Sequence, residues 1–126
     1  MVLGLGVDIV QNDRIGKIID RWGERFLTKI FTSMEIDFID KRSQKIQRYA
    51  ANYAVKEAVV KALGTGFRNG INFHSIQVRH NELGKPWAEL HGATKSLARQ
   101  KGVDKIHTSI SHEKSYSVAV ILLEGN

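Results

Sequence analysis

The 126 residues are 42% hydrophobic and 25% charged, with one proline and no cysteine, the make-up of one globular domain spanning 1–126. Without cysteine there is no disulfide framework, thiolate metal site or cysteine nucleophile. No apolar run approaches the ~20 residues that cross a bilayer, so neither membrane anchor nor secretory leader is expected and a cytoplasmic location fits. Nineteen Lys and Arg against thirteen Asp and Glu give a net charge of +6, which favours an anionic partner: nucleic acid, a phosphorylated cofactor or an acidic protein.

Val2 to Val10 reads as a strand of small and branched apolar residues, interrupted by Asp8 near its end. Asn12 or Asp13 can cap a helix in which Ile15, Ile18, Ile19 and Trp22 share one face and Arg14, Lys17 and Arg21 another. Arg25 extends this basic stripe if the helix survives Gly23. Thr32-Ser33-Met34-Glu35 matches a capping box, predicting a short helix to about Asp40. Ser43 to Leu63 is the strongest helical signal, with Gly64 placed to stop it. After a loop from Gly64 to Asn72, Phe73 to Arg79 alternates like a strand, with Asn81 to Pro86 as the turn and Trp87 to His91 as its partner. Ala93 to Gln100 reads as a helix ended by Gly102. Lys105 to Ser111 and Tyr116 to Leu123 read as the last strands. The expected fold is α+β, an antiparallel sheet packed on a long central helix.

Two acids stand where apolar residues belong. Glu57 projects from the mostly apolar stripe of Ile46, Ala50, Tyr53 and Val60, and an unpaired buried carboxylate is costly. Lys61, one turn on, could neutralise it as an i,i+4 pair. Alternatively, Glu57 and Asp8 converge on a hard divalent cation such as Mg²⁺, which takes oxygen ligands from one or two carboxylates and from substrate phosphates. The helix runs into Gly64-Thr65-Gly66, whose backbone N–H groups could approach an anion. The loop lacks the spacing of a nucleotide P-loop and does not open a helix.

In order along nearly the whole chain, Gly6-Val7-Asp8-Ile9, Phe31-Thr32 with Glu35, and Tyr53-Ala54-Val55-Lys56-Glu57-Ala58 followed by Lys61-Ala62-Leu63-Gly64-Thr65-Gly66 resemble the holo-acyl-carrier-protein synthases, the small bacterial phosphopantetheinyl transferases. Asn81 to Pro86 and His107 to His112 support the match. The resemblance implies the phosphopantetheinyl transferase fold and a Mg²⁺-dependent transfer of the phosphopantetheine arm of coenzyme A to a serine of apo-acyl carrier protein, releasing adenosine 3′,5′-bisphosphate in support of fatty acid biosynthesis. It implies Asp8 and Glu57 as metal ligands and Lys61 as the group steadying the phosphates, these three forming the catalytic set. Cofactor contacts are expected from Lys61, Gly64, Thr65, Gly66, Lys45, Pro86 and His112. Arg14, Lys17, Arg21 and Arg25 would dock the acidic carrier protein. Lys56 belongs to the motif but points about 100° away from Glu57. Two positions depart from relatives: Val10 stands where larger relatives have a second acid, and Asn52 where many have Arg.

The resemblance further implies a homotrimer with interfacial active sites, the Glu57 helix facing a neighbour's Leu83-Gly84-Lys85-Pro86 turn. The apolar strands at both ends of the chain suit packed sheets at a threefold core. An RNA-binding α+β protein would share the size and charge, but aromatic residues do not alternate with Lys or Arg along the strands, so no nucleic acid is expected. A carrier-binding module without catalysis would not require acids at the Asp8 and Glu57 positions.

Overall fold

In a computed structural model describing residues 1–126, β1 (Val2–Gln11) pairs antiparallel with β5 (Tyr116–Glu124), which pairs with β4 (Lys105–His112), giving a three-stranded sheet ordered β1-β5-β4. The helix α4 (Lys45–Leu63) lies against this sheet. Gly4 and Gly6 make the approach possible: a Cβ at Gly6 would collide with the carbonyl of Ala58, and one at Gly4 with that of Ala62. Asp8 and Val10 continue the same face of β1, so the backbone contact that needs glycine also turns the Asp8 side chain toward the helix.

Between β1 and α4 run three short helices, α1 (Asn12–Trp22), α2 (Glu24–Ile30) and α3 (Ser33–Asp40). The capping box forms as expected, Glu35 N–H donating to Thr32 Oγ1 at 3.2 Å and Thr32 N–H to Glu35 Oε1 at 2.8 Å. Neither Asn12 nor Asp13 caps α1; Gln11 occupies that position. The buried Asn12 instead donates to the carbonyls of Glu113 and Lys114 at 2.8 and 3.0 Å and accepts from Ser117, tying the helix start to the β4–β5 turn. Gly23, at φ 53°, ends the helix, and Arg25 belongs to α2. On α1 Ile15 is buried, but Trp22 is 48% exposed. The apolar face expected to run to Trp22 therefore closes a turn earlier.

The second half adds a hairpin, β2 (Ile76–His80) with β3 (Pro86–Leu90), and α5 (Gly92–Gln100). The strands form two sheets rather than one. Phe73–Ser75, expected to begin the strand, is a 3₁₀ turn. Local polar groups outbid alternation there: Asn72 Oδ1 accepts from Ser75 N–H at 2.9 Å, Ser75 Oγ bonds Thr94 at 2.6 Å, and the carbonyls of Phe73 and Ile76 accept from Lys56 Nζ at 2.8 and 2.6 Å.

The core lies where Ala54, Val55, Ala58 and Val59 of α4 meet Ala119, Ile121 and Leu123 of β5 and Ile76 and Val78 of β2. The opposite face of the sheet is uncovered: Leu5, Val7 and Ile9 are 64%, 54% and 63% exposed, beside Val120 of β5.

Candidate active site

A cleft of about 410 Å³ opens where the end of β1, α1 and α4 meet. Asp8, Gln11, Arg14, Tyr53, Glu57 and Tyr116 are its polar lining, with Val10, Ile15 and Phe26 among the apolar wall. The two acids singled out in the sequence thus share one cavity, although they lie 49 positions apart in the chain. No three side chains of acid or histidine type gather into a closed metal cage. The anionic oxygen donors available to a cation in the cleft are these two carboxylates, and the rest of its shell would come from neutral donors, a ligand or water.

Lys61 pairs with Asp8, not with Glu57. Its Nζ lies 2.9 Å from Asp8 Oδ1 and 3.2 Å from the carbonyl of Val7. The i,i+4 alternative gives way because α4 packs so closely on β1 that Asp8 lies within reach across the two glycines. The Asp8 side chain is only 14% exposed, whereas Lys61 is 53% exposed, leaving the ammonium free to meet an anion on its solvent side.

Tyr53 stands one turn before Glu57, and its phenol is pushed up to about 12, first by burial and then by the charges of Glu57 and Asp8, with Arg14 opposing. The phenol is therefore protonated near neutrality, and Arg14 faces the cleft as well as the outside. Arg14 and Lys17 also line a shallow depression reaching Ser115 and Tyr116. Arg21 and Arg25 sit apart, over the exposed Trp22 ring at 5.1 and 5.9 Å from its centroid. The basic stripe is thus two clusters on two helices.

The residues expected to touch the cofactor do not form one cavity within a single chain. His112 and Pro86 come together in a second depression of about 180 Å³ on the other side of α4, with Arg48, Asn52, His80 and Gly84. His80 stacks on Phe38 at 4.8 Å; burial, then the positive charges of Arg48 and Arg42, hold its pKa below the usual histidine value. Lys45 lies outside this depression, 3.9 Å from Asp40. Gly64 is the left-handed C-cap of α4, and its N–H is committed to the carbonyls of Val60 and Lys61. Of the Gly64-Thr65-Gly66 loop, Thr65 lines a third hollow with Arg68 and Ser96.

Lys56 is the residue whose role periodicity understated. It is wholly buried, pairs with Glu35 Oε1 at 2.9 Å, and uses its other protons on Phe73 and Ile76 carbonyls. Glu35 Oε2 in turn accepts from Val78 N–H at 2.7 Å. Burial lowers the Lys56 pKa, with the Glu35 charge opposing. This node joins α3, α4 and β2 directly behind Glu57.

The sequence profile described as the 4′-phosphopantetheinyl transferase superfamily matches residues 4–121. The chain belongs to this family. It is 42% identical over 124 residues to a holo-[acyl-carrier-protein] synthase of Halothermothrix orenii, covering 98% of each chain. The fold matches the crystal structure of the Neisseria meningitidis holo-[acyl-carrier-protein] synthase with a TM-score of 0.91 at 31% identity, covering 98% of this chain and 99% of that one. It also matches the Bacillus anthracis synthase in complex with CoA (3′,5′-ADP), with a TM-score of 0.83 at 32% identity over 100% and 99% of the two chains. The full-length match agrees with the α+β fold described above and with the family that the Lys56-Glu57 motif pointed to.

Proposed function

We propose that this transferase moves the phosphopantetheine arm of coenzyme A onto a serine of apo-acyl carrier protein, a step that supports fatty acid biosynthesis. The observation that carries this reading is the meeting of Asp8 and Glu57 in one cleft, with Lys61 paired to Asp8, in a chain 42% identical to a holo-[acyl-carrier-protein] synthase. The serine oxygen attacks the pantetheine-side phosphorus of the pyrophosphate. The bond from that phosphorus to the bridging oxygen breaks, adenosine 3′,5′-bisphosphate leaves with the electron pair, and the serine proton is lost. Such displacements depend mainly on positioning and on neutralising phosphate charge.

Asp8 and Glu57 would hold Mg²⁺, which would supply Lewis-acid neutralisation of the pyrophosphate oxygens. The fit rests on an all-oxygen pair of donors in one cleft, with Val10 buried rather than contributing a third acid. Lys61, held on Asp8 and open to solvent on its far side, steadies the pyrophosphate. Arg14 and Lys17 at the cleft mouth and Arg21 and Arg25 around Trp22 meet the acidic carrier.

A homotrimer accounts for the scattered cofactor residues. The uncovered apolar row of Leu5, Val7 and Ile9 is more than a solvent-facing sheet tolerates and would be buried between copies. The Leu83-Gly84-Lys85-Pro86 turn, with Leu83 94% exposed, then faces a neighbour's α4, so that His112 and Pro86 complete the adjacent subunit's cofactor site together with Lys45 and the Gly64-Thr65-Gly66 loop. No helix is long and apolar enough to cross a membrane, and cytoplasmic work on a carrier protein fits that.

Incubation of the protein with coenzyme A, Mg²⁺ and an apo-acyl carrier protein tests the activity by intact mass. Gain of one phosphopantetheine per carrier is expected. A carrier left unmodified, under conditions in which an authentic synthase completes the reaction, overturns the reading.

A further inference from the structure

Two hollows meet at the end of β1. The cleft that holds Asp8 and Glu57 and the depression of about 550 Å³ that bears Lys17 have Gln11, Arg14, Ile18 and Tyr116 as common walls. A group passing from the depression into the cleft crosses these four residues, and Tyr116 is the one aromatic among them. We propose that Tyr116 is a specificity-determining contact for the carrier, its ring seating the serine-bearing segment at this passage. The inference rests on the reading of the protein as a transferase acting on an acyl carrier protein, and it adds a residue that neither the basic stripe nor the family motifs single out.

Tyr116 has a fixed base and a loose end. Its Cα is paired with that of Gln11 across β1 and β5, and its N–H donates to Glu113 Oε1 at 2.9 Å. Just before it, the Ser115 carbonyl accepts from the Asn12 N–H at 2.9 Å, so the start of the strand is tied to α1, the helix that carries Arg14 and Lys17. The side chain is held far less. Its hydroxyl meets only Gln11 Nε2, at 3.5 Å, the outer limit of a hydrogen bond, and the residue is 41% exposed. By strand alternation Tyr116 continues the outward row of Val118 and Val120, opposite Gln11, where the apolar row of Leu5, Val7 and Ile9 has stopped. It therefore stands at the rim of the face that packs between copies.

The chemistry of the depression selects the occupant. Arg14 and Lys17 outnumber Asp13, the one acid on its wall, which suits an acidic carrier. Such charges steer a partner and fix its approach, and salt screens them. A large aromatic ring on the same wall acts differently: it sheds water on contact and holds the partner once it has arrived, as tyrosine commonly does at the energetic centre of an interface.

Steady-state transfer from coenzyme A to an apo-acyl carrier protein, in Mg²⁺ and at two salt concentrations, tests this. Tyr116→Ala should raise the KM for carrier roughly 10-fold, with the KM for coenzyme A and the sedimentation coefficient unchanged. That loss should persist in high salt, whereas the loss from Lys17→Ala shrinks. Tyr116→Phe, which keeps the ring, should restore the parent KM. A carrier KM unchanged in Tyr116→Ala overturns the inference, as does a matching rise in the KM for coenzyme A or an altered sedimentation coefficient, either of which makes Tyr116 a structural residue. Tyr116→Phe as impaired as Tyr116→Ala overturns the ring as the contact. Absence of transfer by the parent protein would instead defeat the underlying reading of the function.

Discussion

Lys56→Met tests whether the node behind the active site holds the fold together. The substitution conserves length and apolar volume but strands the Glu35 carboxylate, 0% exposed, with only the N–H groups of Thr32 and Val78 as donors. It also leaves the Phe73 and Ile76 carbonyls without their donor. Removing one partner of a buried ion pair costs about 3–5 kcal/mol, because the remaining charge is uncompensated. Against a typical domain stability of about 5–15 kcal/mol, that is a large share, and urea unfolding followed by circular dichroism will measure it. Adding Glu35→Gln removes the stranded charge and keeps one acceptor oxygen, enough for Thr32 N–H or Val78 N–H but not both. The double variant should therefore be more stable than Lys56→Met alone by about 1–3 kcal/mol, within the range of coupling measured between contacting residues. A loss below about 1 kcal/mol for Lys56→Met, or a double variant no more stable than the single one, would show that the pair is not the tie described.

Arg21→Glu should raise the KM for carrier about 10-fold at low ionic strength while leaving the KM for coenzyme A unchanged, the difference shrinking in salt; equal effects on both substrates would remove Arg21 from the docking face. Val7→Arg on the uncovered sheet face should convert a trimer into single 14.2 kDa chains in sedimentation and lower the transfer rate with it, and an unchanged sedimentation coefficient would contradict the threefold packing. His80 has a folded-state pKa below its ordinary value because of burial, so below about 6.5 the unfolded chain takes up a proton that the folded one resists, and stability falls as pH drops from there toward the folded-state pKa. His80→Phe, which retains an aromatic partner for Phe38, should flatten that slope in urea titrations at stepped pH; an identical slope in both proteins would refute it.

Those features that are local in sequence were legible in it. The Thr32–Glu35 capping box and the helix ending at Gly64 depend on neighbours within one or two turns, and both form. Asp8 could be suspected because a carboxylate closes an apolar strand. What could not be read depends on contacts across the fold. Lys61 chooses Asp8 over the helical neighbour Glu57 because Gly4 and Gly6 bring β1 against α4. Phe73–Ser75 leaves strand geometry because Asn72, Thr94 and Lys56 claim its polar groups. Glu35 read as a cap and as part of a family motif, not as an ion-pair partner, yet its second oxygen receives Val78 and its first receives Lys56.

Release of adenosine 3′,5′-bisphosphate in a single turnover with coenzyme A and apo-carrier, compared across the parent protein, Asp8→Asn and Glu57→Gln, tests most directly that this cleft performs the transfer. The parent protein should release one equivalent per carrier modified. Each amide variant, unchanged in thermal midpoint, should release none on the same timescale at saturating Mg²⁺, since the amides keep the shape of the donors and lose their charge. Release at the parent rate by either variant would place the chemistry elsewhere on the molecule.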